Sequence, residues 1–258
     1  MKKSTISKWL YLTVTFAVFM CISVSANAAL VDLSTWKAEG DGTWNLQSGN
    51  NAVLQTKNGA PTIFYNNQNS QGSKLSGKIR VTTNSDDDFI GFVLGYHQGD
   101  LNKSNVDYLL IDWKKRNQQW FEVEAKAGLA ISRVTDKLQD NEGAWGHVSS
   151  YGVTELQRGT TLGNTGWEQN KEYNFDITFT SNKVEVFVNS NLELSISGTF
   201  QDGSFGFYNY SQPDVLYSAI DESTLPPVPL PGAVWLFGSG LSALLLGKKG
   251  KAFLINNK

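Results

Sequence analysis

The stretch Tyr173–Ile196 reads Y-N-F-D-I-T-F-T-S-N-K-V-E-V-F-V-N-S-N-L-E-L-S-I and contains three short alternating segments. In Tyr173–Phe179 every second residue is apolar, and a period of two recurs in Lys183–Val188 and from Leu192 to Ile196. This alternation is typical of strands with one buried face. Ser-Asn and Asn-Ser-Asn separate the segments and favour tight turns. The stretch therefore predicts a three-stranded antiparallel meander.

Similar segments lie on both sides of the meander: Trp44–Leu46, Asn51–Thr56, Thr62–Tyr65, Gly77–Thr82, Phe89–Tyr96, Tyr108–Trp113, Phe205–Tyr210 and Val215–Ile220. Helical patterns are nearly absent between them, so the chain is predicted to be all-β and to form an antiparallel β-sandwich. Phe89–Tyr96 is apolar on both faces, so it should lie centrally, under the opposite sheet on one side and a loop on the other. The polar run Thr135–Asn164 is expected to be a long loop that is functional or held by a partner.

Residues 1–28 have the features of a secretory signal peptide. Three lysines accompany the mostly apolar segment Trp9–Val24, and Ala26-Asn27-Ala28 is a small-x-small sequence that predicts cleavage between Ala28 and Ala29. The single cysteine, Cys21, lies within this signal, so the exported protein is expected to contain none. That expectation excludes disulfides, thiol catalysis and cysteine-bound zinc.

The C-terminal part of the chain combines a proline-rich segment with an uncharged apolar one and a lysine cluster. Residues 223–231 are predicted to be a stiff linker because prolines interrupt strands and helices. Ala233–Gly247 would reach only about 22 Å as a helix, short of the roughly 30 Å hydrocarbon core of a membrane. Residues 232–258 are therefore predicted to be a short hydrophobic helix with a basic tail, and a buried helix is the alternative.

This segment resembles the C-terminal sorting signal of the PEP-CTERM proteins. The resemblance rests on Val228, Pro229, Leu230 and Pro231 and on the run W-L-F-G-S-G-L that begins at Trp235. It implies a Gram-negative exporter, transient contact with the inner membrane and processing by an exosortase-type enzyme. It also implies a final location in the cell envelope, at the cell surface or in the extracellular matrix.

Residues 29–222 remain between the two signals, a length that suits one domain. Seven of the 22 basic residues lie in the terminal segments, whereas all 24 acidic residues lie in this domain, which leaves it a net charge of −9. This excess of negative charge argues against a nucleic-acid partner and suits a cation.

Several catalytic signatures are absent from the sequence, including H-E-x-x-H, G-x-S-x-G and the dinucleotide fingerprint. The two histidines, His97 and His147, have no obvious catalytic partner, so each is predicted to be a loop or structural residue. Glu122 and Glu124 are the candidate carboxylate pair on one strand face, and a glycoside hydrolase needs two such groups about 5–10 Å apart. Lys126 argues against this enzyme because laminarinase-like hydrolases carry a third carboxylate in that region.

Asp86, Asp87 and Asp88 stand immediately before the apolar segment Phe89–Tyr96. Adjacent carboxylates repel one another and resist desolvation, so they either lie in water or share a cation. Calcium takes six to eight oxygen ligands, so the triplet would supply only part of a site. The candidates for completing it are Asp100, Asp107, Asp112 and Asp140. A solvated acidic turn is the alternative that residue types alone leave open.

The segments D-D-D-F-I-G-F-V-L-G-Y (86–96) and D-Y-L-L-I-D-W-K-K (107–115) resemble, in this order, the C-terminal domain of thrombospondins. The likeness continues through Gly166-Trp167 and Gly206-Phe207-Tyr208 and covers roughly residues 32–220. It implies a concanavalin-like, L-type lectin-like jelly roll and a role in cell adhesion or the extracellular matrix. It also implies that Asp86, Asp87 and Asp88 bind Ca²⁺.

Trp145 lies between glycines in a polar part of the sequence and is expected to be exposed, where its ring would stack on a sugar. Together these inferences predict an exported, calcium-binding, non-catalytic adhesion module associated with extracellular polysaccharide. A polysaccharide-active enzyme on the same sandwich is one alternative. A structural envelope protein without a ligand is the other.

Overall fold

The computed structural model describes residues 30–225, in which two seven-stranded antiparallel sheets pack face to face. The strands are β1 Lys37–Gly40, β2 Trp44–Leu46, β3 Ala52–Gln55, β4 Thr62–Tyr65, β5 Ser73–Val81, β6 Phe89–Tyr96, β7 Tyr108–Lys114, β8 Gln118–Trp120, β9 Val123–Ala125, β10 Gly128–Val134, β11 Val153–Arg158, β12 Tyr173–Phe179, β13 Lys183–Val188, β14 Asn191–Ser197, β15 Ser204–Tyr210 and β16 Val215–Thr224. The helical turns are three 3-10 segments and one π-helix: Leu33–Thr35, Asp100–Asn102, Ser149–Tyr151 and Asp140–Trp145.

The front sheet has the strand order β1-β4-β15-β6-β7-β10-β11, and the back sheet has the order β14-β13-β12-β5-β16-β3-β2. The short strands β8 and β9 form a separate hairpin. The predicted antiparallel β-sandwich is therefore confirmed. The predicted meander is confirmed as well, because β12, β13 and β14 are neighbours in the back sheet.

The long polar run is not a loop throughout. Its segment Val153–Arg158 forms β11, which pairs with β10 at the edge of the front sheet. Only Val153 in this strand is buried, so the strand lacks the alternating apolar pattern that would have revealed it. The preceding segment, Thr135–Gly152, is irregular apart from its short helical turns and lies over the outer face of the front sheet. This segment is called the cover segment below.

Strand β6 is buried on both sides, as its sequence predicts. Ile90, Phe92 and Leu94 belong to the apolar core between the sheets, whereas Phe89 and Val93 belong to a second cluster on the outer face. Residues of the cover segment complete that second cluster: Leu138, Ala144 and Trp145. A loop therefore covers the outer face of this central strand, as expected.

The inner core contains many aromatic side chains. Phe207 of β15 stacks on Tyr217 of β16 with ring centroids 4.3 Å apart, and Phe92 meets Phe175 of the back sheet at 4.5 Å. Burial of one such side chain contributes about 1.5–3 kcal/mol, and aromatic contact adds to it. A large aromatic core thus holds the two sheets together in a domain without cysteine.

The two ends of the described chain lie beside each other. Leu30 forms an isolated bridge with Asp221, and the Val31 N–H donates to the Ile220 carbonyl at 2.9 Å. Strand β16 pairs with β5 as far as Thr224, four residues beyond the strand end predicted at Ile220, whereas the domain end at residue 222 stays a prediction. The missed residues, Asp221–Thr224, are polar and pair through their main chain, which no side-chain pattern shows.

The predicted signal peptide with its cleavage site at Ala28 and Ala29, and the sorting segment with Val228, Pro229, Leu230, Pro231 and Trp235, lie outside the described residues. Between residues 30 and 225, every helical segment is too short or too polar to cross a membrane.

Candidate functional site

The acidic triplet Asp86–Asp88 lies in the irregular segment between β5 and β6. One carboxylate oxygen of each aspartate lies within 4.8 Å of the corresponding oxygens of the other two. Calcium binds oxygens at about 2.3–2.6 Å, so three oxygens at this separation are able to reach one ion. The structure therefore brings the three predicted ligands together.

A buried lysine stands behind the triplet. The register between β6 and β7 places Lys114 opposite Phe89, so its side chain reaches the residue before the strand, Asp88. The Lys114 ammonium contacts the Asp88 carboxylate, lies 3.7 Å from Asp87 Oδ1 and donates to Gln118 Oε1 at 3.0 Å. Its side chain is entirely inaccessible to solvent. Lys114 is therefore an internal counter-ion of the triplet.

Two aromatic rings enclose this lysine. Its Nζ lies 4.3 Å from the centroid of the Trp145 ring and 5.1 Å from that of Phe89. A cation over an aromatic face is attracted by the ring quadrupole, and the attraction grows where water is excluded. The ammonium group is thus held by oxygens on one side and by ring faces on the other.

The three carboxylates have different surroundings. Asp86 accepts hydrogen bonds from the Asn58 side-chain amide and, at 2.9 Å, from the Asp87 N–H. Asp87 Oδ2 lies 2.9 Å from Nε of the exposed Arg116. Asp88 is buried, and its N–H donates to Gln212 Oε1 at 3.0 Å. The triplet is therefore a built structure and not a turn that lies wholly in water.

The triplet and its basic partners carry a net negative charge, which favours binding of a cation. The pKa of Asp88 is raised to about 6, chiefly by burial and also by the neighbouring Asp86 carboxyl, despite the attraction of Lys114. Two carboxyl groups this close need a proton or a cation between them. Lys114 and Arg116 offset two of the three negative charges, so one remains. The donor set fits a hard cation, although it supplies only part of the six to eight oxygens that calcium takes.

A groove on the outer face of the front sheet begins beside Asp88. Its inner part is a cavity of about 330 Å³ whose lining includes Asp88, Gln118, Trp120, Asp140, Trp145 and Tyr210. Its outer part, of about 650 Å³, shares Ala60 and Asp140 with the inner part and extends to Asp41, Asn102 and Gln139. These two parts together are called the front groove. Its lining combines aromatic rings with carboxylate and amide groups, a mixture typical of small-ligand sites.

Trp145 was expected to be exposed, and this expectation is wrong because only 5% of its surface is accessible. The cover segment folds over the front sheet, so the indole packs against Phe89 at 5.7 Å and Trp120 at 5.6 Å between ring centroids. One side of Trp145 still lines the front groove. Its role in ligand binding stays a prediction.

Three of the four aspartates considered as additional calcium ligands have other partners. Asp107 forms a two-point ion pair with Arg133 at 2.7 and 2.6 Å. Asp100 Oδ2 accepts from the His97 N–H at 2.8 Å, and Asp112 Oδ2 lies 2.8 Å from His147 Nε2. Among these four, Asp140 shares the wall of the front groove with Asp88.

The His147–Asp112 pair is buried beneath the cover segment. Burial alone lowers the pKa of His147, but the charge and hydrogen bond of Asp112 outweigh it, so the pKa lies above its ordinary value. The imidazole thereby ties the cover segment to β7. His147 is placed as a structural residue, in line with its prediction.

The glutamates of the enzymatic alternative do not form the predicted pair on one strand. Glu122 lies in the turn of the β8–β9 hairpin, before β9 begins at Val123, and Glu124 lies within β9. Both side chains are exposed. The turn was not recognised because its first residue, Phe121, and the preceding Trp120 are aromatic and suggest a continuing strand.

The sequence interpretation missed Lys114, Gln118 and Trp120. The position of Lys114 could have been recognised from the sequence, because it lies on the same face of β7 as Tyr108 and Leu110. That face is apolar, and a charge buried on an apolar face needs a partner. An antiparallel β6–β7 pair also brings the start of one strand beside the end of the other. That placement would have set Lys114 beside Asp88.

Comparison with curated proteins finds thrombospondins and a related matrix protein. The chain is 23% identical to "Thrombospondin-3b" of Danio rerio over 199 residues, which cover 70% of this chain and 21% of the relative. It is 26% identical to "Thrombospondin-2" of Bos taurus over 194 residues (69% and 16%). It is 22% identical to "Cartilage oligomeric matrix protein" of Homo sapiens over 199 residues (70% and 25%). The chain thus spans a quarter or less of the length of these relatives.

Solved structures with the same fold include lectin-like domains. A carbohydrate binding module, CBM66 from Bacillus subtilis, superposes with a TM-score of 0.53 at 8% identity, covering 74% of this chain and 96% of the module. The exoplasmic/lumenal domain of VIP36 in its Ca²⁺/Man2-bound form gives 0.51 at 13% identity, covering 76% and 83%. At these identities the likeness establishes the concanavalin-like sandwich fold alone.

The family model described as "Thrombospondin C-terminal region" matches residues 39–224. The match includes the acidic triplet, Lys114, the cover segment and all strands from β2 to β16. The chain therefore belongs to the thrombospondin C-terminal region family.

Proposed function

We propose that this protein is an exported, non-catalytic adhesion module that binds extracellular carbohydrate in the front groove and is stabilised by calcium at Asp86–Asp88. Family membership and the lectin-like fold support a binding module. The observation that carries the proposal is the position of the groove, because Asp88 belongs both to the triplet and to the groove wall.

Asp86, Asp87 and Asp88 would hold the calcium ion, which supplies the positive charge that the triplet lacks. Asp88 is already fixed through Lys114 and Gln212, so its carboxylate is preorganised. Asp86 is fixed by Asn58, which also accepts a hydrogen bond from Ser211 at 3.2 Å. Ser211 lines the front groove, so the residues that would hold calcium also shape its wall.

Lys114 connects the triplet with the aromatic part of the groove. Its ammonium contacts Asp88 and lies over the face of Trp145, which packs against Trp120. A rigid triplet therefore supports the position of two tryptophans that line the groove. Calcium would act as a structural ion that orders the binding surface, with no part in chemistry.

The proposed location is the envelope or extracellular matrix of a Gram-negative cell. It rests on the N-terminal signal and on the PEP-CTERM-like tail with Trp235, which imply an exosortase-type enzyme as a processing partner. Extracellular polysaccharide is the proposed partner of the domain. Its excess of acidic residues supports the prediction that nucleic acid is not a partner.

Thermal and chemical unfolding of the full chain in EDTA and across a calcium series tests the proposal. Calcium that binds only the native state is expected to raise the unfolding free energy by about 2.7 kcal/mol at a hundredfold excess over Kd. Asp86→Asn should remove most of this increase, because it deletes one ligand and leaves the Lys114 contacts in place. Asp136→Asn, at an exposed aspartate of the cover segment, is the control and should keep the increase.

A stability that does not respond to calcium, or an equal response in Asp86→Asn and wild type, would remove calcium from the proposal. Retention of the chain on immobilised polysaccharide, with and without EDTA, then tests adhesion separately. Retention that persists in EDTA would leave a calcium-independent adhesion module.

A further inference from the structure

The tip of the β8–β9 hairpin carries two aromatic side chains beside the front groove. Phe121 is 76% exposed and Trp120 is 36% exposed, and their ring centroids are 5.7 Å apart. Phe121 also has a φ of +52°, a left-handed conformation that is a genuine outlier for a bulky side chain. The two-residue turn between Trp120 and Val123 favours such a conformation, but it favours Gly, Asn or Asp there, so a bulky aromatic side chain at this position costs stability.

The β8–β9 hairpin packs against the cover segment. Trp120 packs edge to face against Trp145, which covers Lys114 behind the triplet. Gln118, Trp120 and Trp145 line the inner part of the front groove. The Phe121–Trp120 tip therefore continues the aromatic lining of the inner part of the front groove into solvent.

Besides aromatic rings, a sugar site needs hydrogen-bonding groups, and the front groove supplies them. Asp88, Asp140 and the Gln118 amide line the same cavity as the indole rings. A pyranose has an apolar face formed by its C–H groups and a rim of hydroxyls. An aromatic platform beside carboxylate and amide groups matches both surfaces of such a ring.

The charged side chains that line the front groove distinguish neutral from anionic sugar chains. Its described lining contains the carboxylates of Asp41, Asp88 and Asp140 and a single cationic side chain, Lys137. Lys137 attracts Asp140, Asp41 is paired with Lys57, and Asp88 is paired with Lys114, so each of these cations already faces a carboxylate. Within the described lining, an anionic chain would have to compete with these carboxylates for every cation. A neutral chain needs no such cation.

We infer that Trp120 and Phe121 form a stacking platform beside the inner part of the front groove, and that the groove takes neutral hexose chains in preference to uronic acid or sulfated polysaccharides. This inference rests on the proposed function and names its ligand class and two affinity-determining residues. Stacking of a sugar face on Trp120 would exclude water from the platform. The groove carboxylates and Gln118 would then accept and donate hydrogen bonds with the sugar hydroxyls.

The test measures binding of the full chain to defined oligosaccharides by calorimetry and tryptophan fluorescence, in calcium. The probes are neutral hexamers of glucose, mannose and galactose, together with a hexamer of galacturonic acid and a sulfated oligosaccharide. At least one neutral hexamer is expected to bind, and Trp120→Ala and Phe121→Ala should each weaken that binding by at least about fivefold. Tyr151→Ala is the matched control, since Tyr151 is 40% exposed but does not line the groove, and it should bind like wild type.

Each contrary outcome has a distinct meaning. Binding of the acidic oligomers alone would overturn the neutral ligand class and leave the proposed carbohydrate-binding function standing. Neutral binding that Trp120→Ala and Phe121→Ala leave unchanged would overturn the platform. Absence of binding to any probe would overturn this inference and the carbohydrate part of the proposed function. Calcium stabilisation is decided separately, by the unfolding experiment. Both side chains are exposed, so the variants are expected to fold, and their unchanged melting temperatures check this.

Discussion

The central strands of the front sheet are buried on both faces, but the two faces differ in chemistry. Its inner face contributes Ile90, Phe92 and Phe207 to an apolar core. Its outer face also buries polar groups, among them Asp112 and Lys114. The hydroxyls of Tyr108, Ser132 and Tyr208 on this outer side have no hydrogen-bond partner within residues 30–225.

The two faces are therefore stabilised in different ways. Apolar burial is non-directional, so the inner face stabilises the sandwich without requiring specific partners. A buried charge is stable only with its own counter-ion and hydrogen bonds, so the outer face needs particular residues at particular places. The acidic triplet and the front groove both belong to this outer side. Mutations on the two faces should therefore have different signatures.

Phe207→Ala tests the inner face and has the largest expected effect. Phe207 stacks on Tyr217 and contacts Trp36, Phe64 and Phe92, so truncation removes a large apolar surface and leaves a cavity. We expect a loss of about 4 kcal/mol in the unfolding free energy, measured in urea. Leu156→Ala, at a side chain that is 43% exposed, should change it by less than about 0.5 kcal/mol. A loss below about 1 kcal/mol for Phe207→Ala would contradict the role of this core.

Lys114→Met tests the outer face. It leaves the buried Asp88 carboxylate without its counter-ion, and we expect a loss of about 3 kcal/mol. Lys115→Met removes the neighbouring lysine, which lies partly exposed over Trp167, and should cost less than about 1 kcal/mol. The double variant Asp88→Asn/Lys114→Met should recover part of the loss, because it no longer buries an unpaired charge. Equal stability of Lys114→Met and wild type would show that the pair contributes nothing.

The pH dependence of stability distinguishes the two titrating groups of the outer face. The pKa of His147 is raised in the folded protein, so its contribution is present below about 6.5 and is lost as the pH rises through the folded value. His147→Asn should remove this decline in unfolding free energy at neutral to alkaline pH. His97→Asn, at an exposed histidine, should retain it. A decline that persists in His147→Asn would assign the effect to another group.

The titration of Asp88 affects stability at lower pH than that of His147 does. Its pKa rises from 3.8 to about 6 on folding, so the folded state binds more protons and stability should fall as the pH rises between these values. Calcium needs the ionised carboxylate, so saturating calcium should oppose this fall. Unfolding curves from pH 4 to 6, with calcium and with EDTA, measure the difference. Identical curves would indicate that calcium does not reach Asp88.

Arg116→Met has the smallest expected effect. Its side chain is 66% exposed, and it pairs with Asp87, which also faces Lys114. Exposed ion pairs contribute about 0–1 kcal/mol and weaken in salt, so the change should fall in this range and vanish at high ionic strength. A loss as large as that of Lys114→Met would show that exposure does not decide the strength of these pairs.

Strands with a clear period of two could be predicted from the sequence, and they define most of the sandwich. The meander and β6 are the strongest cases because their apolar residues alternate or run uninterrupted. The sequence analysis missed the edge strands β1 and β11, the hairpin strands β8 and β9, the buried strand β10 and the polar end of β16. Main-chain pairing, not an alternating pattern of side chains, holds β11 and the end of β16 in place.

The candidate site was predicted only in part. The triplet stands out as three consecutive carboxylates, a pattern visible along the chain. Lys114 and Trp120 reach it from elsewhere in the sequence, through the β6–β7 register and the β8–β9 hairpin. The burial of Trp145 depends on how the cover segment folds over the front sheet, which no local pattern specifies.

The pairing of β16 with β5 determines where the C-terminal end of the domain lies relative to the triplet. Val215 lies opposite Val81, near the triplet, and Thr224 lies opposite Ser73, at the far end of β5. A strand of this length separates its two ends by on the order of 25 Å. The chain therefore leaves the domain at the pole opposite the triplet. A domain tethered through its C-terminus would hold that pole toward its support and turn the triplet outward, where a partner on a neighbouring surface could reach it.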